Sequence, residues 1–496
     1  MPTTDVTEWT VPLPDERATA RLAEDIATIL RPGDVVRLSG TLGAGKTSFA
    51  RALIRALAAD PALDVPSPTF PIRIDYSFPR LSLSHIDLYR LSDDSELDEL
   101  GLDEAVAAGA LVVEWPERLP PEIGVAEFLV ALRMDASGRQ AIFSASGIAA
   151  ERLARSFAVR SFLDGAGREG ASRIPMVGDA SVRAYERIHE DGATSILMNA
   201  PARPEGPAIY NGRSYDAIAH RALDVFPFLA IGDLLKRQGI RVPELRAHDA
   251  GAGLLLLEDL GTAGILDDQG DAILGRYEAA IDLLAAMHGK TWPAEASFEG
   301  QHYPIPAYDR GALLIEISLF PQWIGGAEFT PEARAAFCGE WERVLQQVPE
   351  DQRTLVLRDF HSPNILWLEN AAGHARVGVI DFQDALIGHP AYDVASLAQD
   401  ARVAITQAEE GALKARYVAA RKDADSAFDE AAFDLAYTIL GAQRATKVLG
   451  AFHRLAVVEG KTGYQRHMQR VKDVLARNLS HPVLSSLRVW YEPYVA

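Results

Sequence analysis

This sequence predicts two folds in series: a phosphate-loop α/β domain, then a two-lobed α+β domain. Three observations carry that prediction. Gly40-Thr41-Leu42-Gly43-Ala44-Gly45-Lys46-Thr47 matches G-x-x-x-x-G-K-[ST] in full, between an apolar strand and an amphipathic helix. About three hundred residues on, Leu357-Arg358-Asp359-Phe360-His361-Ser362-Pro363-Asn364 precedes Val379-Ile380-Asp381-Phe382, the order of a catalytic loop and a metal-binding Asp in phosphoryl transfer. The 496 residues, 48% hydrophobic and 24% charged, are ample for separate buried cores. The two motifs belong to unrelated folds, so the chain reads as a fusion of two ATP-using domains.

Composition narrows the setting. No apolar run approaches the roughly 18 residues of a membrane span, and Met1 to Glu16 carries acids and prolines where a signal peptide needs a basic patch and an apolar core. The single cysteine, Cys338, excludes an internal disulfide and a multi-Cys zinc site. A cytoplasmic protein with no membrane partner is expected. The net charge of −20 is shared: residues 1–155 hold 15 Lys+Arg against 24 Asp+Glu, the remainder 34 against 45. Neither part has the basic excess of a protein gripping nucleic acid directly, so any RNA would be held by a partner. The acidic run Asp93 to Glu99, continuing at Asp103-Glu104, reads as a solvated helix face or as a docking surface for a basic partner.

In the first domain, Val35 to Leu38 reads as a strand and Lys46 to Ala59 as a helix with Phe49, Leu53, Ile54 and Leu57 on one face. The loop between them, with Gly40, Gly43, Ala44 and Gly45, places amide groups at a helix N-terminus, where the dipole favours phosphate. Lys46 is placed to reach the β- and γ-phosphates and Thr47 to hold Mg²⁺. Ser84 to Arg90 and Leu111 to Pro116 read as further strands ending in carboxylates. In an open α/β sheet such ends face the ligand crevice, making Asp87 and Glu114 candidates for the Mg²⁺ shell or for orienting water.

These motifs, with Ser67-Pro68-Thr69-Phe70, His85 to Leu91 and Val113-Glu114-Trp115-Pro116-Glu117, occur in the order seen in the TsaE family, which residues 1 to about 150 resemble. That family is the small ATPase of the bacterial tRNA threonylcarbamoyladenosine machinery, a P-loop NTPase. The resemblance implies that Thr47 and Glu114 hold Mg²⁺, that Asp87 serves hydrolysis and that Thr69 senses the γ-phosphate. It also implies weak ATPase activity alone and docking onto transferase-complex proteins of the TsaB and TsaD kind, with tRNA reached only indirectly. Thr41 departs from the Asp usual there. Small, Gly-rich segments at 135–140 and 165–172 flank a helix from Ala149 to Leu163, which puts the domain boundary near 155.

In the second domain, Thr354 to Leu357 reads as a strand leading to Asp359, the candidate base. Asn364 can supply a carbonyl ligand to Mg²⁺, and a hairpin of Ile365–Leu368 with Val377–Ile380 returns Asp381 to the same place. Upstream, Gly178 to Arg187 resembles a strand-turn-strand nucleotide cover containing Ser181, Arg183 and Arg187. Leu254 to Gly261 resembles a hinge between an N-lobe at about 156–260 and a C-lobe at about 261–496, with Glu258 and Leu260 beside the adenine.

The order Gly-Asp-Ala-Ser-x-Arg183, Leu-Met-Asn-Ala-Pro201, Leu-Glu-Asp-Leu-Gly261, the Asp359 loop and Ile-Asp-Phe-Gln-Asp384 resembles the aminoglycoside-phosphotransferase-like superfamily, which is protein-kinase-like in fold. Within it, the chain is most similar to kinases of N-acetylmuramate and N-acetylglucosamine acting at the anomeric hydroxyl. Gly441 to Phe452 shares that likeness, and Arg444 and Lys447 are candidate substrate contacts. The resemblance implies Asp359 as base and Asn364 and Asp381 as metal ligands. No lysine lies between Lys46 and Lys236, so the usual ATP-lobe lysine is missing. Arg183 or Arg187 can take its charge role, backbone near Ser181 can bind the phosphates, or this half is a pseudokinase. Two other readings stay open: a nucleotide switch that regulates the kinase with no tRNA role, and a cationic acceptor such as an aminoglycoside or choline. His361 reads as a loop brace, Cys338 as packing, and Trp323, Trp341 and Trp490 as lobe core.

Overall fold

The computed structural model describes residues 6–91, 95–120, 123–135, 138–176, 183–326 and 329–495. Ser181, the glycine-rich part of the expected nucleotide cover, and Asp93-Asp94 lie outside the described residues. The chain forms two compact units: Met1–Asn199 with Leu254–Leu256, and Ala200–Gly253 with Leu257–Ala496.

The first unit begins β1 (Thr7–Pro12), α1 (Glu16–Ile29), β2 (Asp34–Ser39), α2 (Lys46–Ala58), β3 (Arg73–Ser77) and β4 (Ser82–Asp87). Short α3 (Ser95–Asp98) and α4 (Leu102–Ala108) lead to β5 (Ala110–Glu114), β6 (Ala126–Asp135) and β7 (Gly138–Ala145). These strands make one sheet in the order β1-β7-β6-β2-β5-β4-β3, with β2 parallel to both β5 and β6 and β4 parallel to β5. Covered on both faces, the central strands are near-continuous apolar runs, Val-Val in β2 and Leu-Val-Val in β5. One face packs on α1 and α2 through Leu22, Ile26, Phe49 and Leu53, the other on α4 through Leu102 and Ala105. Arg37, buried mid-strand, is tolerated because Glu127 and the carbonyls of Leu119 and Pro120 accept its donors.

The helix α5 (Gly147–Gly165) follows, then β8 (Ser172–Pro175), β9 (Ala184–Glu190) and β10 (Ala193–Asn199). The β9–β10 hairpin turns at Asp191-Gly192, both with positive φ (50° and 77°), as a tight primed turn requires. The expected boundary near 155 falls inside α5. That helix is tied to β2, where the Arg152 guanidinium donates to both oxygens of Asp34 at 2.8 Å, and to α1, where Arg152 also donates to the Ile29 carbonyl at 3.0 Å and the Ser156 hydroxyl to the Asp25 carbonyl at 2.8 Å. A buried ion cluster continues into β8 and β9. The Asp25 carboxylate, 3% exposed, accepts from Arg160 Nε at 2.9 Å and Arg173 Nη1 at 2.7 Å, and Arg173 donates bidentately to Glu186 at 2.7 and 2.8 Å.

By strand order a five-stranded sheet runs Leu245–Asp249, Leu254–Glu258, β10, β9, β8. The second unit is otherwise mostly helical, its longest helix being Glu430–Val458. Trp341 is fully buried, and Trp323 and Trp490 are half-buried. The half-buried Cys338 lies on the helix Pro331–Leu345. Among the described residues no helix is long and apolar enough to cross a membrane.

Candidate active sites

In the first unit, β2, β4 and β5 are parallel neighbours, so their C-terminal ends bring the loop at 40–45, Asp87 and Glu114 side by side, with Asp87 and Glu114 in register. Gly40, Gly43 and Gly45 all have positive φ (139°, 81° and 104°), and a Cβ on Gly40 would stand 2.5 Å from the Leu132 carbonyl oxygen, so this turn needs glycine. The Lys46 ammonium folds back to donate to the carbonyls of Gly40 (2.7 Å) and Thr41 (3.1 Å), and it lies 3.6 Å from the Trp115 ring centre. Burial lowers its proton affinity from the usual lysine value, against the pull of Glu114 and Glu117.

Thr47 donates its hydroxyl to Glu114 Oε2 at 2.7 Å, while Glu114 Oε1 bonds the fully buried His85 Nε2 at 2.9 Å. Thr69 donates to Asp87 Oδ2 at 3.2 Å and shares a 2.7 Å bond with Ser67, while the Tyr89 amide donates to Asp87 Oδ1 at 3.0 Å. A hydroxyl and two carboxylates are hard oxygen donors that suit Mg²⁺ beside a triphosphate. His85, which orients Glu114, was not singled out from sequence as a site residue, although it lies two residues before Asp87 on β4, on the same face.

In the second unit, Thr354–Val356 pairs with Leu386–Gly388, and Ile365–Trp367 with Val377–Val379. The loop between these pairs carries the candidate base and the candidate metal ligands. Asn364 Nδ2 donates to the Asp359 carbonyl at 2.9 Å and approaches Asp381 Oδ2 at 3.4 Å, while Gln383 Nε2 donates to Asp381 Oδ1 at 2.9 Å. Arg358 and Asp381 both adopt left-handed backbone (φ 71° and 59°), a conformation side chains other than glycine hold only when surroundings enforce it.

At Arg358 the enforcing groups are buried carboxylates. Asp393 accepts the amides of Leu357 (2.6 Å) and Arg358 (2.8 Å), and Asp400 accepts those of Ser362 (2.8 Å) and Arg402 (3.0 Å). Glu316 pairs with the Arg358 guanidinium and with Lys447 Nζ at 2.9 Å, and accepts Tyr308 Oη at 2.6 Å and Gln443 Nε2 at 3.1 Å. Burial would raise the Glu316 carboxyl, yet Arg358 and Lys447 hold it at about 2. Burial likewise opposes ionisation of Asp359, yet Lys447, His361, Arg358 and Arg221 hold its carboxyl well below the usual carboxylate range. His361, brought to about 4 by burial with Arg402 beside it, is neutral near pH 7.

The other expected nucleotide contacts are more scattered. Arg187 lies on β9, where strand alternation sends it to the face opposite Glu186. Arg183 immediately precedes β9, and both arginines already have partners. The Glu258 side chain is held by Arg241 (2.6 and 2.8 Å) and the Glu244 amide (3.2 Å), its own amide donates to the Glu244 carbonyl at 2.8 Å, and Leu260 is buried. Glu316, Asp393 and Asp400 were not singled out from sequence. Only Asp393, in His389-Pro390-Ala391-Tyr392-Asp393 shortly after Asp381, carries a local signal.

Both sites are built for nucleotide-triphosphate chemistry, and together they define a double ATP-using enzyme. A family model described as "Threonylcarbamoyl adenosine biosynthesis protein TsaE" matches residues 13–141, and one described as "Phosphotransferase enzyme family" matches residues 173–435. The chain belongs to the phosphotransferase enzyme family through its C-terminal part and to the TsaE family through its N-terminal part. A Caulobacter vibrioides N-acetylmuramate/N-acetylglucosamine kinase is 34% identical over 355 residues, covering 69% of this chain and 97% of that protein. The Pseudomonas putida protein of the same name is 33% identical over 310 residues, 60% of this chain and 82% of that one. An Aquifex aeolicus tRNA threonylcarbamoyladenosine biosynthesis protein TsaE is 43% identical over 109 residues, 22% of this chain and 77% of that protein. The chain is thus an enzyme of ATP hydrolysis and ATP-dependent phosphoryl transfer.

Proposed function

We propose that the phosphotransferase domain, about residues 156–496, phosphorylates the anomeric hydroxyl of N-acetylmuramate or N-acetylglucosamine, as in cell-wall sugar recycling. The observation that carries this reading is the convergence of Asp359, Asn364 and Asp381 on one braced loop, with a base already ionised at neutral pH. Asp359 takes the acceptor proton as the sugar oxygen bonds the γ-phosphorus and the bond to the β-bridging oxygen breaks. Asn364 and Asp381 hold Mg²⁺, which when bound spreads charge on the transferring phosphoryl group. Two carboxylates near Asp359 already have cations, Glu316 with Arg358 and Lys447, and Asp384 with Arg221 at 3.3 Å. That balance favours a neutral or anionic acceptor over an aminoglycoside or choline. A panel of sugars and amines, read by ATP consumption and by phosphorus NMR of the product, tests it. Reaction with amines alone refutes the sugar assignment, and failure of every acceptor with ATP still bound supports a pseudokinase.

We propose that residues 1 to about 155 are the ATPase for tRNA threonylcarbamoyladenosine formation, acting in the cytoplasm with TsaB- and TsaD-like proteins and meeting tRNA only through them. Thr47 and Glu114 hold Mg²⁺, Asp87 serves hydrolysis, Thr69 senses the γ-phosphate, and the amides at 40–45 with Lys46 bind ATP. Supporting this, Thr47, Glu114 and His85 are already linked in one hydrogen-bonded chain. The full chain should restore the modification in cells lacking their own such ATPase, and Lys46→Ala should not. A second reading, a switch acting on the kinase, is favoured by the ion cluster linking α1 to β8 and β9. It predicts that Lys46→Ala changes the phosphotransferase rate.

A further inference from the structure

Among the described residues around the phosphotransfer loop, Arg358, Lys447 and Arg221 are paired with carboxylates, and Arg444 is not. Arg444 sits on the long helix Glu430–Val458, one turn before Lys447 and next to Gln443, both of which grip Glu316. Its surface is only 6% exposed, yet among the described residues it makes no hydrogen bond and no ion pair. Its nitrogens are also not among the buried polar atoms sealed off from solvent without partners, so each keeps an opening. A guanidinium so deeply set is unfavourable unless an anion completes it.

Its position is fixed from several sides. Next to it, Gln443 Nε2 also donates to the Leu313 carbonyl at 3.0 Å. Three residues earlier, Gly441 packs so closely on Gln399 that a Cβ would stand 2.7 Å from Gln399 Oε1. One turn later, Lys447 Nζ reaches Tyr392 Oη at 3.4 Å. Lys447, one turn on along the same helix, holds Glu316 against Arg358, the residue before Asp359, so this stretch of the helix lies beside the loop that carries Asp359. His361 is neutral, and Asp400 accepts the amides of Ser362 and Arg402 and no bond from Arg444.

We infer that Arg444 is a specificity residue that receives a carboxylate of the acceptor while Asp359 addresses its reacting hydroxyl. This rests on the sugar-kinase reading and separates the two sugars, since N-acetylmuramate carries a carboxylate that N-acetylglucosamine lacks. A bidentate guanidinium–carboxylate bond in a part-buried pocket discriminates by roughly 10- to 100-fold.

The test compares full-length wild type, Arg444→Gln and Arg444→Lys on both sugars at saturating ATP. Arg444→Gln should raise KM for N-acetylmuramate 10- to 100-fold while KM and kcat for N-acetylglucosamine stay within about threefold, and Arg444→Lys should fall between. Equal losses on both sugars, or a rise in KM for ATP instead, overturn the inference in favour of a structural or phosphate-binding role. If wild type phosphorylates neither sugar, the sugar reading falls first, and D-lactate becomes the probe of the anion site. A thermal upshift with D-lactate in wild type that Arg444→Gln abolishes sustains the carboxylate site, and no upshift in wild type overturns it.

Discussion

Asp25→Asn should destabilise the first unit by about 3 kcal/mol. The change keeps the shape of a side chain 3% exposed but removes the charge facing Arg160 and Arg173. Breaking a buried ion pair costs roughly 3–5 kcal/mol because the remaining charge stays desolvated. The lower end applies here, since Arg173 keeps both bonds to Glu186 and Arg160 keeps the Ala171 carbonyl at 2.9 Å. For a unit of about two hundred residues this lowers Tm by roughly 6–12 °C. Calorimetry of the full chain reads it, and hydrogen exchange should show α1 and β9 losing protection together. Arg416→Ala, which breaks an exposed pair with Asp282 at 2.7 Å, should cost under about 1 kcal/mol and serves as control. A loss for Asp25→Asn no larger than the control's, or β9 protection unchanged, refutes the ion cluster as the joint.

Burial lifts the Glu24 carboxyl from 4.5 to about 7. The folded chain therefore keeps a proton that the unfolded chain releases, so this stabilisation is full below 4.5 and is lost as pH rises through about 7. The span corresponds to about 3 kcal/mol; Glu24→Gln should flatten urea midpoints between pH 5 and 8, and an unchanged slope counts against it. Because Asp359 is held well below the usual carboxylate range, kcat/KM for phosphotransfer should show no acid limb from this base between pH 5 and 8, whereas a limb near 6 that Asp359→Asn removes would contradict the geometry. Asp359→Asn itself should cost roughly 10²–10⁴-fold in rate at neutral pH. Glu114→Gln should cut Mg²⁺-dependent ATP turnover more than ATP binding, and equal losses would place Glu114 in nucleotide binding.

Much of both sites was legible because the chemistry is written locally. The phosphate loop, Asp87 and Glu114 at strand ends, and Asp359, Asn364 and Asp381 each sit in a short motif flanked by apolar strands. The braces were not legible, because a brace is a pair of distant residues. Glu316 reads as an acid in a helix until Arg358 is folded against it. Asp25 reads as the polar side of an amphipathic α1, and Arg173 and Glu186 as ordinary charges on short strands. Glycine-rich segments around α5 carry the composition of a linker, but composition does not report that α5 packs along α1.

The joint between the ATPase fold and β8–β10 is therefore a shared interior, and this bears on where the chain can be cut. A fragment of residues 1–155 keeps the span matched by the TsaE family model but loses Arg160, Arg173 and Glu186. With those elements gone, the face of α1 that carries Asp25 opens to water, and its carboxylate no longer needs a partner. Asp25→Asn should then change stability by less than about 0.5 kcal/mol in the fragment, against about 3 in the full chain. The difference between the two backgrounds, read from urea midpoints, isolates the contribution of α5, β8 and β9 from anything Asp25 does within α1. Equal losses in both would place the effect in the helix itself and leave the two folds merely tethered.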